Sequence, residues 1–475
     1  MNAADFKALL PLVVIAGTAV LAMLGIAIRR SHLQTAGISL VGLAVAFASL
    51  EIAAGAAPHT IQPLLVVDRY ALFYLGLIFA ASAAFVLLSY DYLNKCEGDH
   101  EEVYVLMLIA TLGAGVLVVS NHLVALFLGL EVLSISLYGM IAYLRTRALP
   151  LEAGLKYLLL AAVSSAFLLF GIALVYTALG TMELTRMVTM LPGSAFDQRL
   201  VFSGLALIIT GLGFKLAVVP FHLWVPDVYE GAPAPVTAYI ATVSKGAVFA
   251  ALLRYFLGAR LVEIPSVFVL FSAIAVVSMI AGNLLALLQQ NLKRILAYSS
   301  IAHLGYLLVA FLAGGNLAVV AVTFYLAAYF VTMLGAFGVI SVLSNGDREP
   351  ATLATYRGLF WRRPVLAAIF TAMFLSLAGI PLTAGFIAKF YVIAAGASSA
   401  RWTLVLVLAV TSGIGLYYYL RVVVALYSER ERLTPPEPPL GAVPRFLLAV
   451  LTSLLLWFGV FPGALLALIR DVVVI

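Results

Sequence analysis

The segment from Gly211 to Lys245, GLGFKLAVVPFHLWVPDVYEGAPAPVTAYIATVSK, places two lysines inside runs of apolar residues. A charge is costly in the hydrocarbon of a membrane and is usually retained there for function, so Lys215 and Lys245 are candidates for chemistry. The same segment holds four prolines within sixteen residues: Pro220, Pro226, Pro233 and Pro235. Neither flanking helix can continue through them, and the freed backbone must face protein or a wet cavity. The segment therefore predicts a path for ions through a membrane.

The rest of the chain is apolar enough to be a polytopic membrane protein. Of its 475 residues, 64% are hydrophobic and 10% are charged, and no soluble domain of that length buries so much apolar surface. Residues 1–30 lack a signal-peptide cleavage site, so we expect a retained helix there. Windows of about 20 residues predict an all-α protein with fourteen spans, at residues 8–28, 34–57, 70–90, 103–119, 122–144, 153–179, 200–224, 234–258, 265–288, 292–313, 316–344, 364–398, 402–427 and 443–469.

Several kinds of site are excluded by composition. The single Cys96 rules out a disulfide within the chain, an iron–sulfur cluster and a thiolate zinc site. The sequence has no phosphate-binding glycine loop, so we expect no nucleotide bound by this chain. We also expect no cofactor and no metal in this chain. The net charge of +6 is scattered over short loops instead of forming a stripe, which argues against nucleic acid as a partner.

The basic residues sort into two sets of alternating loops, and their unequal numbers predict the orientation. One set of loops holds fourteen: Arg29, Arg30, Lys95, Arg145, Arg147, Lys293, Arg294, Arg348, Arg357, Arg362, Arg363, Arg430, Arg432 and Arg445. The other loops and the termini hold eight: Lys7, Arg69, Arg186, Arg199, Arg254, Arg260, Arg401 and Arg470. Because the richer set faces the cytoplasm by the positive-inside rule, we expect both termini outside.

Two spans are interrupted, and their positions predict an internal repeat. Residues 364–399 are too long for one helix and too short for two with a loop, and they contain Gly379, Pro381 and Gly385 ahead of Lys389. The seventh span carries a glycine pair before Lys215 and a proline after it. Paired interruptions of this kind are typical of inverted repeats with a site between them. We expect two inverted five-helix repeats, each with a broken helix, at residues 96–260 and 261–430, between three N-terminal spans (1–95) and a C-terminal span (431–475).

A few charged or titratable residues within the spans are candidates for proton transfer. Glu131 lies about ten residues into its span, with Ser134 and Tyr138 on the same helical face, and a structural ion pair is the alternative role. Lys215, Lys245 and Lys389 lose hydration in the membrane and regain stability when a carboxylate approaches, so each can load and release a proton. Snorkelling to the headgroups is the alternative, and it is stronger for Lys156, which lies about one turn inside its span.

Three further residues have two open interpretations each. His303 shares a helical face with Ser299 and Tyr306, where it acts either as a secondary proton relay or as a satisfied hydrogen-bonding ring. His222 and Asp227 lie near the end of the seventh span that the predicted topology places at the cytoplasmic face. They serve either as a site of proton uptake or as parts of a turn or helix cap.

Four strings carry a close resemblance to the subunit N family of antiporter-like subunits of bacterial complex I, the proton-pumping NADH:quinone oxidoreductase. They are GFKLAVVPFHLWVPDVYEGAPAPV, NLKRILAYSSIAHLGYLLVA, YRGLFWRRPVLAAIF and LAGIPLTAGFIAKFYV. The resemblance implies a central polar axis through the fifth-, sixth-, seventh-, eighth- and twelfth-span charges: Glu131, Lys156, Lys215, Lys245 and Lys389. The sister families differ, because subunit M usually has glutamate at the position of Lys389 and subunit L carries a long lateral helix.

The same resemblance implies a function within a larger assembly. Protons would cross this subunit in the bacterial inner membrane, driven by quinone reduction elsewhere, with NADH, FMN, iron–sulfur clusters and quinone held by partner subunits. Subunits L and M and the small membrane subunits are the expected protein partners. A subunit of an Mrp-type cation/proton antiporter without redox coupling is the first alternative, and a structural subunit whose charges only pin helices together is the second.

Overall fold

The protein is a bundle of membrane-spanning helices, described here by a computed structural model for residues 2–61, 63–190, 198–345, 349–429 and 441–472. Thirteen helices in these ranges are long and apolar enough to cross a membrane. A pair of shorter apolar helices, Pro364–Ala378 and Ala384–Ser398, lies where the twelfth span was expected. The prediction of an all-α protein with fourteen spans, one of them broken at residues 379–383, is therefore confirmed.

The helices follow one another along the chain with short connections. They are α1 (Ala3–Ile28), α2 (His32–Ala54), α3 (Arg69–Leu93), α4 (Glu102–Val119), α5 (Leu123–Ile141), α6 (Ala148–Leu179), α7 (Leu184–Met190), α8 (Gln198–Leu216), α9 (Trp224–Gly231), α10 (Ala234–Tyr239), α11 (Lys245–Leu252), α12 (Pro265–Leu287), α13 (Leu292–Ala313), α14 (Gly315–Leu343), α15 (Leu359–Arg362), α16 (Pro364–Ala378), α17 (Ala384–Ser398), α18 (Trp402–Tyr427), α19 (Ala442–Val460) and α20 (Gly463–Val472). The π-helical segment Ile240–Ser244 joins α10 to α11, and a second one, Leu253–Leu257, follows α11, so that a single span runs from Ala234 to Leu257. Short 3-10 turns cover Leu261–Glu263 and Leu353–Tyr356.

A small hairpin that the sequence did not predict connects α2 to α3. Its strands, β1 (His59–Ile61) and β2 (Leu65–Val67), pair antiparallel with Thr60 opposite Val66. The loop after α4 joins it, because the amide of Asn121 donates to the carbonyl of Leu64 at 2.8 Å. Extended residues of this kind are tolerated at a membrane surface, where water and loops satisfy the backbone.

The core consists of the helices that follow the proline-rich segment. The span from Ala234 to Leu257 is buried along its whole hydrophobic window, and α13 and α14 are buried over 94% of theirs. By contrast, α1 and α2 are buried over 33% and expose apolar side chains, as expected for helices that face lipid. The candidate charges Lys245 and His303 lie on the buried helices.

Glycines allow the first helices of each half to approach closely. A Cβ atom on Gly113 of α4 would lie 2.5 Å from the backbone nitrogen of Leu133 in α5. A Cβ on Gly282 of α12 would lie 2.6 Å from the nitrogen of Ala302 in α13. Helix association in lipid depends on such close contacts, since no hydrophobic force drives it.

Two predicted span boundaries are wrong in detail. The seventh span does not run from 200 to 224, because α8 ends at Leu216 and the chain turns through Ala217, whose φ is 63°, before α9 begins. The interruption thus follows Lys215 and does not coincide with the glycine pair, which lies inside α8. The fourteenth span, predicted at 443–469, is divided into α19 and α20 by a turn at Phe461.

Two matching backbone bridges support the proposed repeat. His122, at the start of α5, pairs antiparallel with Glu183, which follows α6. Asn291, at the start of α13, pairs antiparallel with Thr352, which follows α14. Asn291 follows His122 by the same number of residues as Thr352 follows Glu183. The repeat boundaries themselves remain a prediction.

The two sets of alternating loops lie on opposite faces of the bundle. On the arginine-rich face, Arg30 pairs with Glu102 at 2.6 Å and Lys293 pairs with Glu349 at 2.6 Å. On the other face, Arg254 pairs with Asp68 at 2.8 Å. The assignment of the first face to the cytoplasm remains a prediction. Three of the arginines counted for it lie outside the described residues: Arg348, Arg430 and Arg432.

Candidate functional site: a row of buried charges

Glu131 and Lys215 share a polar neighbourhood between α5, α6 and α8. Glu131 accepts a hydrogen bond from the hydroxyl of Ser165 on α6. One turn further along α5, Ser134 Oγ accepts a hydrogen bond of 2.6 Å from Lys215 Nζ. Lys215 is only 3% exposed. The carboxylate and the ammonium are therefore held near each other, with hydroxyl groups as their immediate partners.

Aromatic rings enclose the ammonium group of Lys215. Its Nζ lies 5.5 Å from the ring centre of Tyr157 and 5.6 Å from that of Phe214, distances at which a cation interacts with a ring face. Trp224, the first residue of α9, packs against both rings and donates from Nε1 to the carbonyl of Phe214 at 3.0 Å. The rings exclude water and leave the lysine few polar contacts.

Lys245 lies at the centre of the bundle, directly after a π-helical segment. It is 1% exposed, and its Nζ donates to Ser300 Oγ of α13 at 2.6 Å. The hydroxyl of Tyr329 on α14 donates to the same Ser300 oxygen at 2.8 Å. The ring of Tyr229 lies 5.4 Å below the ammonium. A π-helical turn widens the helix and often marks a functional site.

His303 lies one turn beyond Ser300 on α13, with a tyrosine hydroxyl at each ring nitrogen. Nδ1 is 2.7 Å from the hydroxyl of Tyr325, and Nε2 is 3.0 Å from that of Tyr419. The Tyr419 hydroxyl also bonds to Ser299 Oγ at 2.5 Å. A neutral imidazole donates through one nitrogen and accepts through the other, so it can exchange a proton between its two neighbours.

Lys389 lies just after the break between α16 and α17. Its Nζ donates to the carbonyl of Ala378 at 2.9 Å and to Ser412 Oγ at 2.8 Å, and the ring of Tyr306 lies 5.4 Å away. The interruption of the helix leaves the Ala378 carbonyl free to accept this bond. Gly379, with φ 82°, completes the arrangement, because a Cβ there would lie 2.8 Å from Lys389 Cδ.

Small cavities adjoin the second half of the row. One of about 10 Å³ lies between His303, Thr332, Ser376 and Ala388, which is close to the room that a single water needs. A larger one of about 330 Å³ adjoins Lys389 and Ser412. Water in these spaces would extend hydrogen-bonded contact beyond the side chains.

Helix α13 links Lys245 to Lys389. Its residues Ser300, His303 and Tyr306 occur at intervals of one turn and contact the first lysine, the two tyrosines and the second lysine in that order. The structure therefore brings four predicted residues into the interior of the bundle. Lys245, His303 and Lys389 form one row along α13, and Lys215 lies at the end of α8.

The sequence did not reveal the hydroxyl groups that join these charges. Ser300, Tyr325, Tyr329 and Tyr419 were not predicted as site residues. One signal was present, since Tyr325 and Tyr329 are four residues apart in a helix without charged residues. Buried tyrosine hydroxyls usually have a hydrogen-bond partner, and the spacing places both on one face.

Lys156 and Asp227 belong to an ion cluster at the rim of the bundle. Lys156 Nζ lies 2.8 Å from Asp227 and 2.7 Å from Glu152, and Asp227 also pairs with Arg294 at 2.9 Å. The side chain of Lys156 is 44% exposed. The structure thus separates Lys156 from the buried row and places it beside the candidate uptake residue.

His222 lies in the link between α8 and α9. It is buried, and its Nδ1 has no hydrogen-bond partner among the described residues. Asp227 lies on the next helix, α9, and accepts hydrogen bonds from Lys156 and Arg294. The two residues therefore have different surroundings, one without a partner at Nδ1 and one paired to two cations.

Comparison with known proteins identifies a family and a relative whose descriptions agree with each other. The profile of a family described as "NADH:quinone oxidoreductase/Mrp antiporter, TM" matches residues 120–415. The chain is 48% identical over 475 residues to "NADH-quinone oxidoreductase subunit N" of Ectopseudomonas mendocina (strain ymp), with 98% of this chain and 96% of that protein covered.

Solved structures of three membrane complexes contain a chain with the same fold. One in "Respiratory complex I from Thermus thermophilus with bound Aureothin" matches with a TM-score of 0.82 and 34% identity over 96% of this chain and 98% of that chain. One in the Mrp complex from Dietzia sp. DQ12-45-1b matches with a TM-score of 0.87 and 19% identity over 98% and 97%. One in an archaeal membrane-bound sulfane sulfur reductase matches with a TM-score of 0.85 and 24% identity over 99% and 97%.

Proposed function

The chain belongs to the NADH:quinone oxidoreductase/Mrp antiporter transmembrane family, and we propose that its row of buried charges is the path by which protons cross it. It is a proton-translocating subunit of the membrane arm of an NADH:quinone oxidoreductase, and so it is part of an oxidoreductase complex. The observation that carries the proposal is the line from Lys245 through Ser300 and His303 to Lys389, in which each member contacts hydroxyl groups inside the bundle.

The pair formed by Glu131 and Lys215 is the proposed point of control. When the carboxylate is near, it stabilises the charged lysine; when their separation increases, the lysine in its aromatic enclosure gives up its proton more readily. A coupling of about 1–3 kcal/mol, roughly tenfold to hundredfold in an equilibrium, is the usual size of such linkage. Quinone reduction elsewhere in the complex would supply the change in charge.

The steps beyond Lys215 use groups whose geometry suits proton transfer. Helix α9 lies between the first two lysines, with Trp224 packed against the rings that enclose Lys215 and Tyr229 beneath the ammonium of Lys245. From Lys245 the proton passes to the hydroxyl and imidazole groups on α13. Lys389 then receives it beside the larger cavity.

The surroundings of the subunit complete the proposal. The rim cluster of Lys156 and Asp227, together with His222, is the proposed region of proton uptake on the cytoplasmic face. Both termini would lie outside in the inner membrane of a bacterium. Subunits of the L and M types and small membrane subunits would be its neighbours, while NADH, FMN, iron–sulfur clusters and quinone would bind to other subunits.

Proton flux in the assembled complex tests the proposal. Lys245→Met keeps the length of the side chain and removes the group that carries the proton, so protons moved per electron should fall in reconstituted complexes of normal composition. Lys95→Gln is the matched control, since this lysine lies at the rim and pairs with Asp91 at 3.1 Å. An unchanged ratio for Lys245→Met in an assembled complex would refute the path.

The composition of the purified assembly distinguishes this function from the alternative, a subunit of an Mrp-type antiporter without redox coupling. A subunit of an Mrp-type antiporter would carry the same buried charges, and one related structure comes from such a complex. A complex that co-purifies with this chain and oxidises NADH supports the proposal. Recovery of antiporter subunits alone would favour the alternative.

A further inference from the structure

A long apolar groove lies on the side of the bundle away from the row of charges. It has a volume of about 920 Å³ and lies between α2, α3, α14, α19 and α20. Its walls are formed mostly by leucine, phenylalanine and alanine side chains, among them Leu72, Phe73 and Leu454. The groove runs along most of α3, from Arg69 to Leu87. Its length is therefore comparable to the thickness of the hydrocarbon layer.

Three charged residues line this groove, and two of them, Glu51 and Arg69, lie at the end where α2 is joined to α3. Glu51 lies in the last turn of α2, Arg69 is the first residue of α3 and Asp471 lies near the end of α20. All three line the same space. Within the described ranges, none of their side chains makes a hydrogen bond or an ion pair, although opposite charges are present together.

This pattern matches one chemical class of ligand. A phospholipid has two apolar chains and a headgroup that lies at the depth of the helix ends. A guanidinium group binds phosphate through paired hydrogen bonds, and carboxylates accept hydrogen bonds from a primary ammonium. Since carboxylates outnumber the single arginine, a purely anionic headgroup would be disfavoured. A quaternary ammonium offers no N–H to the carboxylates.

We propose that this groove binds a phosphatidylethanolamine, with its phosphate on Arg69, its ammonium between Glu51 and Asp471, and its acyl chains along α3 and α19. The site is independent of the proton path, because it contains none of the residues of the buried row.

Photo-crosslinking in the whole complex tests the proposal. The complex is reconstituted into nanodiscs that contain a trace of a phospholipid with a photoactivatable acyl chain, and crosslinked peptides are mapped by mass spectrometry. Phosphatidylethanolamine, phosphatidylcholine and phosphatidylglycerol probes are compared. We expect the first probe to label peptides of α3 and α19 roughly fivefold more than the others, which corresponds to about 1 kcal/mol.

Three variants connect the labelling to the groove. Arg69→Gln should lower labelling by phosphatidylethanolamine to the level of the other probes, and Leu454→Trp should lower it by filling the groove. Arg401→Gln is the control, because this arginine adjoins a different cavity and stacks on Phe268 at 4.2 Å. Its labelling of α3 and α19 should not change. NADH oxidation by each variant complex verifies assembly.

Three results would overturn the proposal. Equal labelling by the three probes would indicate ordinary surrounding lipid. Labelling that is unaffected by Arg69→Gln would remove the headgroup contact. An absence of labelling of α3 and α19 would indicate that a helix of a partner subunit fills the groove.

Discussion

Replacement of Glu349 should destabilise the subunit more than replacement of an exposed charged residue, because the Glu349 carboxylate accepts hydrogen bonds from three donors. It accepts hydrogen bonds from Lys293 Nζ at 2.6 Å, from the Tyr92 hydroxyl at 2.6 Å and from the amide of Ala234 at 2.8 Å. These donors belong to the start of α13, the end of α3 and the start of α10. The side chain of Lys293 is 2% exposed and that of Glu349 is 14% exposed.

The magnitude follows from what each variant leaves behind. Glu349→Leu leaves a buried ammonium whose remaining partner is the carbonyl of Ala232 at 2.6 Å, and removal of one member of a buried pair costs about 3–5 kcal/mol. Lys293→Met should cost a similar amount, because it leaves a buried carboxylate. The double variant removes both charges and should recover most of the loss. It should remain below the native protein, since each donor left without an acceptor costs about 1–3 kcal/mol.

Thermal dissociation of the purified complex ranks the variants by stability. The temperature at which half of the complex has lost this subunit should be lowest for Glu349→Leu and Lys293→Met, and higher for the double variant. Arg30→Gln is the control, because its pair with Glu102 is 49% and 42% exposed and is worth at most about 1 kcal/mol. A double variant as unstable as the singles, or a Glu349→Leu variant as stable as the control, would refute the reasoning.

Three other substitutions give separate tests of the structure. Gly385→Ala should prevent assembly, because its Cβ would clash with the carbonyl oxygen of Ser376 across the break; a native gel shows whether the subunit is incorporated, and normal incorporation contradicts the packing. Arg254→Lys should lower the midpoint of thermal dissociation, because one ammonium cannot reproduce the two bonds of 2.8 Å to Asp68; an unchanged midpoint would show that the paired geometry is unimportant. Ser300→Ala should reduce protons moved per electron in assembled complexes, with full pumping as the contrary result.

The sequence predicted features that depend on local rules. Proline and glycine within an apolar run identify a broken helix wherever they occur, so the position of Lys389 beside a free carbonyl could be anticipated. Lys215 and Lys245 were visible for the same reason, since a charge in an apolar run is rare. These inferences need no knowledge of which helices are neighbours.

The hydrogen-bond partners of the charges depend on packing between distant helices. Ser300 meets Lys245 across 55 positions of the chain, and Tyr419 meets His303 across 116. A serine or tyrosine in an apolar helix has the same sequence signature whether it faces a lysine or a backbone carbonyl. Lys156 shows the same dependence on packing, because its partner Asp227 is 71 residues away along the chain.

Each of the three buried lysines lies beside an irregularity of its own helix, whereas the groups between the last two lie on continuous helices. Lys215 is one residue from the end of α8, Lys245 follows a π-helical segment and Lys389 follows a break. Ser300 and His303 occupy the uninterrupted α13. Along the proposed proton path, the hydroxyl and imidazole groups of α13 therefore keep a fixed spacing, and we expect conformational switching at the lysines, beside the irregular parts of their helices.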